Sequence, residues 1–427
     1  MPVFYITQMK KLLFITLMIT VISGSYASEK ETIIEFHNKC YALLDTNLDS
    51  AILLANKAEL LAKHEEDSYL QAQSLFIKAY AYRMKDDQGK SFISNLKALD
   101  LVTNLTSEKE IKLHLELLIN TSEILMNHFA YLEAIQYLEK GIELAKQYNI
   151  QNRLLLLLYN KGISLKSNGN LEEALDTFNE TLTLAYELND ELRILRSLNQ
   201  KGLTLKDLKS YKSARTTYHE MINFQHSEKY ENKYKGQAWH NIAGTYVGEN
   251  DFERAKNAYL NALSYKMKRN KSEELFITYQ DLAETLLKMN QIEEANHYAQ
   301  LCLPLYSESS LDPDNYKFFN LMSEIAHQRN DSEGVRKYAK LYFEENEKFL
   351  NQQREILEVK DRYKMEVLTA GFFSELHADQ NISILEKVLW SIAIFFTTIL
   401  FLTRAYSYIR KRTLSIQINQ IKDEGSV

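Results

Sequence analysis

The chain has 427 residues and a net charge of −6; 45% of it is apolar and 25% charged. Only 12 glycines and 3 prolines interrupt it, too few for a turn-rich all-β protein, a collagen or a Pro/Gly-rich disordered chain. Two cysteines exclude a disulfide scaffold and a four-cysteine zinc module, and the acidic balance argues against a chain that mainly binds nucleic acid.

Residues 1–27 read as a leader. Lys10 and Lys11 precede an apolar run from Leu12 to Ile22, and small residues stand at Ser25 and Ala27. A basic start, a short apolar core and a small-x-small site are the marks of a secretory signal peptide, here cut after Ala27. An uncleaved N-terminal anchor is the alternative.

From residue 28 to 345 one motif recurs. Its marker is Ala51, Ala134, Ala174, Ala214, Ala255 and Ala295, with Ser91 and Val335 in the gaps; successive spacings are 40, 43, 40, 40, 41, 40 and 40. Twelve positions before each marker come Lys39, Ala79, Ser122, Gly162, Gly202, Ala243, Ala283 and Ser323, small in every repeat but the first. Bulky residues surround the marker, such as Leu171 and Phe178, or Tyr211 and Tyr218. Small residues at facing sites let two helices approach, and large ones fill the space to the next pair. Polar stretches such as Ser167-Asn168-Gly169-Asn170 and Gly248-Glu249-Asn250-Asp251 read as a helix stop followed by a restart. One pair cannot bury both of its faces, so neighbours must stack.

This pattern resembles the tetratricopeptide repeat family. The best match is Trp239, Ile242, Ala243, Tyr246, Phe252, Ala255, Tyr259 and Ala262, followed by Gly162, Leu165, Gly169, Leu171, Ala174 and Phe178. The period of 40 exceeds the family's about 34, and the motif's terminal proline is missing, so either the helices are longer or the turns wider. The resemblance implies an all-α fold, a right-handed α-solenoid of about eight such pairs; the residues beyond it add a long helix and one C-terminal transmembrane helix.

The resemblance also places the first helix of each repeat on a concave face. Its second, fifth, ninth and twelfth positions line that face, and the residues there in the middle repeats are Tyr159, Ile163 and Lys166, then Asn199, Leu203 and Lys206, then His240 and Gly244, then Gln280 and Glu284. Mixed amide, aromatic and charged side chains suit an extended peptide or a protein tail; a solvated face without a ligand is the alternative. The Lys/Asn cluster with which some family members hold a terminal carboxylate is not assembled. No two-His-plus-Glu zinc pattern, GxSxG or phosphate loop occurs, so no enzyme, metal site or cofactor is expected. His219 and His226 share a helix face but lack a third ligand. Cys40 and Cys302, in the first and seventh repeats, lie too far apart along a solenoid to bridge.

Residues 346–381 continue as a long helix, either a cap on the last repeat or a coiled-coil stalk that allows a homodimer. Val388 to Thr403 then runs without a charge between Lys387 and Arg404. A helix at 384–404 reads as a single membrane span with interfacial Trp390 and Tyr406. Arg404, Arg410, Lys411 and Arg412 follow it, which by the positive-inside rule puts the basic tail, 405–427, in the cytoplasm. The solenoid is then extracytoplasmic, in the periplasm of a bacterial cell. Two readings of function follow. One is a membrane-anchored scaffold that binds a protein or peptide. The other is a sensory ectodomain whose output passes to a separate partner, since 413–427 are too few residues for a kinase or DNA-binding domain.

Overall fold

A helix of 17 residues and a turn of three make a step of 20, and two steps make the 40-residue period. This is how residues 131–210 are built in the computed structural model: α6 (Tyr131–Gln147), α7 (Gln151–Ser167), α8 (Leu171–Glu187) and α9 (Glu191–Asp207) each span 17 residues. The structure describes residues 29–102, 107–225, 227–306 and 316–351. They belong to one unit, Met1–Glu358. Before this stretch come α1 (Glu29–Leu43), α2 (Leu48–His64), α3 (Ser68–Met84), α4 (Gln88–Leu101) and α5 (Glu108–Asn127). After it come α10 (Tyr211–Asn223), α11 (Glu228–Gly248), α12 (Phe252–Arg269), α13 (Ser272–Lys288), α14 (Ile292–Cys302) and α15 (Phe318–Gln328). Residues 332–351 are helical as well and form α16. Among the described residues consecutive helices pair from α1/α2 to α15/α16, eight pairs, the last joined by Ser323 Oγ donating to Val335 C=O at 3.5 Å. No strand occurs among the described residues. The longer period thus comes from longer helices, not from wider turns.

One backbone device sets the step. Glu66, Asp86, Phe129, Asn149, Gly169, Asn189, Lys209, Asn250, Asn270, Asn290 and Asn330 all have positive φ. A left-handed residue ends a helix by turning the next amide back onto the last turn. Asp190 N–H bonds Ala185 C=O at 3.0 Å, Ser210 N–H bonds Leu205 C=O at 2.8 Å, and Asp251 N–H bonds Tyr246 C=O at 2.9 Å. Asparagine tolerates that conformation better than most side chains, which explains its six appearances. The residue after it often caps the next helix: Asp190 accepts from Arg193 N–H at 3.0 Å and Asp251 from Arg254 N–H at 3.2 Å.

The markers Ala51, Ser91, Ala134, Ala174, Ala214, Ala255, Ala295 and Val335 all stand fourth in the second helix of their pair. The six alanines are fully buried, and Ala243 and Ala283 face them from the first helices, also fully buried. Gly162 lies under the Phe178 ring, and Gly202 under the Tyr218 ring. Both rings are completely enclosed, so each of these glycines makes room for a buried ring of the next helix. The first pair departs from this plan. Lys39, at the small-residue position, is exposed, and Cys40 is buried in its place, its thiol donating to Ala51 C=O at 3.3 Å. The turn there, 44–47, has four residues and no left-handed one, which shifts the helix phase.

No helix among the described residues is long and apolar enough to cross a membrane. The leader, the helix beyond residue 351, the span at 384–404 and the tail lie outside the described residues.

Candidate functional site

The odd-numbered helices form one face of the array, here called the A face. From α1 to α13 a side-chain contact joins one first helix to the next. His37 Nε2 of α1 meets Ser74 Oγ of α3 at 2.7 Å. Arg83 of α3 donates to Asn120 Oδ1 and Glu123 Oε2 of α5, at 3.4 and 3.5 Å. Arg153 of α7 pairs with Glu116 of α5, and Arg193 of α9 lies over the Tyr159 ring of α7 at 5.1 Å. Asn241 Nδ2 of α11 donates to Asn199 Oδ1 of α9 at 2.8 Å. His240 Nε2 of α11 lies 3.4 Å from Asp281 Oδ2 of α13. Asn120, Asn160, Gln200, Asn241 and Asp281 each stand 14 positions before the marker of their repeat, and Asn120, Asn241 and Asp281 make three of these contacts. Four of the five carry amides. An amide has two N–H donors and a carbonyl acceptor, so one bridge to a neighbour leaves groups over for a ligand.

Charge is graded along this face. Glu116 and Glu123 stand on α5, where Arg153 of α7 pairs with Glu116. Two steps on, α9 presents Arg193 and Arg196. Arg193 lies over the Tyr159 ring at 5.1 Å, and burial together with the neighbouring Arg196 guanidinium pulls its pKa down. Burial raises the Glu123 carboxyl despite nearby Arg83. Lys166 lies 3.6 Å from Asp207.

A denser cluster sits where α9, α11, α12 and α13 meet. Thr278 Oγ1 donates to Glu274 C=O at 2.8 Å and receives Lys266 Nζ at 2.7 Å. His240 Nδ1 is 3.3 Å from the same oxygen. Since the hydroxyl proton is already committed, His240 must donate its own Nδ1–H there, and its Nε2 is left bare toward Asp281. The imidazole also stands edge-on to the Tyr259 ring at 5.4 Å. Burial, reinforced by Lys266 and Lys206, pushes the His240 pKa well down and keeps the ring neutral. Burial and then Glu284 push Asp281 up to about 7, against the pull of Lys266, Lys206 and Lys288. Burial brings Lys266 down to about 8. Glu284 itself is held by Lys288 at 2.7 Å. Lys206 has no carboxylate within 4.0 Å among the described residues; its ammonium overhangs Gly244.

Residues 236–266, within α11 and α12, match the tetratricopeptide repeat family. This segment carries a tetratricopeptide repeat. No curated protein matches it by sequence. Among solved structures it is similar to the apo form of the quorum sensor NprR from B. thuringiensis, with 15% identity, a TM-score of 0.51, and coverage of 80% of this chain and 99% of that one. A tetratricopeptide repeat protein from Parabacteroides merdae is 18% identical, with a TM-score of 0.47, over 70% of this chain and 99% of its own. The apo form of RapI is 16% identical, with a TM-score of 0.48, over 64% of this chain and 97% of its own. At these identities the likeness concerns the fold.

In this helical array the seven expected groove residues divide. Lys206, His240 and Glu284 converge on the cluster around Asp281. Tyr159 and Asn199 are nearly enclosed, at 9% and 6% exposure, and serve the A face as packing and bridging groups. Lys166 is engaged by Asp207, and Gln280 Oε1 is buried without a hydrogen-bond partner. Arg153, Arg193, Lys266, Asp281 and the amide series belong to the face as well but do not follow from the family count. That count starts the fourth first helix at Leu155 and the fifth at Leu195. The helices begin one turn earlier, at Gln151 and Glu191, and this extra turn carries Arg153 and Arg193. The 40-residue recurrence of Asn120, Asn160 and Gln200 was the signal that would have found the series. Among the other expectations, Cys40 and Cys302 are free, buried thiols, and burial raises both. His219 packs edge-on against Trp239 at 5.8 Å, while His226 lies outside the described residues. Glu29, His64 and Glu65 form an exposed surface cluster on the first pair.

Proposed function

We propose that this protein is a non-catalytic scaffold, anchored in a membrane by one C-terminal span, whose A face holds an extended peptide segment outside the cytoplasm. The segment is a free peptide or the tail of a partner protein. The observation that carries this reading is the polar series on consecutive first helices. Packed helices stand ~8–10 Å apart, and an extended chain advances ~3.3 Å per residue, so one rung meets about every third residue of a bound segment. Amides spaced in this way suit backbone N–H and C=O groups rather than one particular side chain. A right-handed twist of the array would keep the rungs in line with such a segment.

The anchoring and the orientation rest on the leader, the uncharged run at 388–403 and the basic residues after it. A sensory role, with output through a partner, is the second reading. It is favoured by α16, which is still helical at residue 351, the last described one.

The test is crosslinked recovery of the membrane-embedded protein followed by mass spectrometry, repeated with Gln200→Ala combined with Asn241→Ala. A partner whose recovery falls at least about tenfold in the double variant supports A-face binding. Recovery unchanged by the double variant overturns it.

A further inference from the structure

The junction of α9, α11, α12 and α13 holds more positive charge than its own carboxylates compensate. Glu284 is occupied by Lys288 at 2.7 Å, Glu274 by Arg269 at 3.2 Å, and Asp207 faces Lys166 at 3.6 Å. That leaves Lys206 and Lys266 against Asp281 alone, with His240 neutral between them. Lys266 is committed to Thr278 inside the array. Lys206 is not, and its ammonium stands at the surface of α11, over Gly244. A Cβ built on Gly244 would meet nothing closer than Lys206 Nζ, at 4.0 Å, so the helix surface beneath the ammonium is open. A half-buried cation beside bare backbone, one turn from the His240–Asp281 pair, is a seat for an anionic group.

Binding an anion there changes the balance around Asp281. Facing Asp281 are His240 from α11, Lys206 from α9, Lys266 and Tyr259 from α12, and Glu284 and Lys288 on its own helix. Cys302 of α14 feels the same carboxyl and stays a thiol. A second negative charge at Lys206 makes an ionised Asp281 less favourable. The neutral acid has an outlet, because its hydroxyl faces the bare Nε2 of His240 at 3.4 Å.

We propose that Lys206, over Gly244, binds an acidic group of the segment held on the A face, a carboxylate or a phosphate, and that binding requires Asp281 in its protonated form, so that an ionised Asp281 takes one proton from solvent as the segment binds. The proton goes to Asp281 Oδ2 and is shared with His240 Nε2; no other bond is made or broken. Binding is then tighter in mildly acidic than in mildly alkaline solution. This rests on the peptide-binding reading of the A face and adds the chemistry of one anchor to it.

The test uses the full-length protein in detergent and three labelled tetrapeptides: tetraglutamate, a phosphoserine counterpart and uncharged tetraglutamine. Affinities are read by fluorescence anisotropy at pH 6 and pH 8. The expected result is binding of the acidic probes, at least about tenfold tighter than tetraglutamine and about tenfold tighter at pH 6 than at pH 8. The better of the two acidic probes tells carboxylate from phosphate. Asp281→Asn, whose amide still donates to Nε2, binds equally at both pH values. Lys206→Gln loses the preference for acidic probes. Gly244→Leu, which keeps every charge and favours helix, loses it as well. An acidic preference that survives Lys206→Gln, or a pH ratio that survives Asp281→Asn, overturns the proposal. Equal affinity for all three probes overturns the anion site while leaving peptide binding on the A face in place. Absence of binding by any probe also overturns the anion site, and the crosslinking test then judges the wider reading separately.

Discussion

The Tyr218 ring occupies the place where a Cβ on Gly202 would stand, with its Cε1 only 2.4 Å from that position. Forty residues earlier Phe178 and Gly162 repeat the relationship at 2.6 Å. Both rings are fully enclosed and have nowhere to retreat. Gly202→Ala is expected to destabilise the array by about 1–3 kcal/mol, although alanine is the better helix former. Thermal melts of the variant beside the parent chain check this; an unchanged or raised midpoint would refute the close approach.

Ala255 tests the register of the repeats. It is the fourth residue of α12 and completely buried, and an indole there has no space. Ala255→Trp is expected to disrupt the pair α11/α12, with loss of helical circular dichroism or a clear drop in melting temperature. An unaltered melting curve counts against the register.

Lys209 tests the turns. It has φ of 56° in the turn between α9 and α10, where Gly169 does the same work one pair earlier. A left-handed conformation costs a side chain about 1–2 kcal/mol, so Lys209→Gly should stabilise the protein by about 1 kcal/mol after the flexibility gained by the unfolded chain. A fall in melting temperature contradicts this account of the step.

Asp281 and Lys266 give stability a defined pH dependence. Asp281 titrates near 7 in the folded protein and near 3.8 when unfolded, so the folded state holds the extra proton between those values. Stability therefore falls as pH rises from about 4 to about 7. Lys266 titrates near 8 when folded and near 10.5 unfolded, so its contribution recovers as pH rises through that window. Asp281→Asn is expected to flatten the lower limb and leave the upper one. A lower limb unchanged in Asp281→Asn would assign it to other groups.

Much of the fold is written in short-range signals. The marker series from Ala51 to Ala295 locates the second helices, and Asn189-Asp190 and Asn250-Asp251 combine a left-handed stop with a helix cap. What the residues do not declare locally depends on contacts between repeats. His240 and Asp281 are 41 positions apart; the family count places His240 in the groove, but its pairing with Asp281 emerges only when α11 and α13 are stacked. Lys266 sits in a second helix and reads as solvated, yet it is 6% exposed because Thr278 draws it inward. Arg193 was hidden for another reason: it lies in a turn of helix that the shorter family repeat does not have.

The expected orientation is open to a direct check. A reporter fused after Val427 should be active in the cytoplasm if the basic residues from Arg404 to Arg412 hold that side of the span. Activity confined to the outside would reverse the assignment.

The account turns on use of the A face, and site-specific photocrosslinking in membranes tests that most directly. A photoreactive residue at Leu203, on the first-helix face, should give a discrete heavier product, and one at exposed Asn179, on the second helix α8, should give none. Products from Asn179 with none from Leu203 would mean that the partner binds the opposite surface.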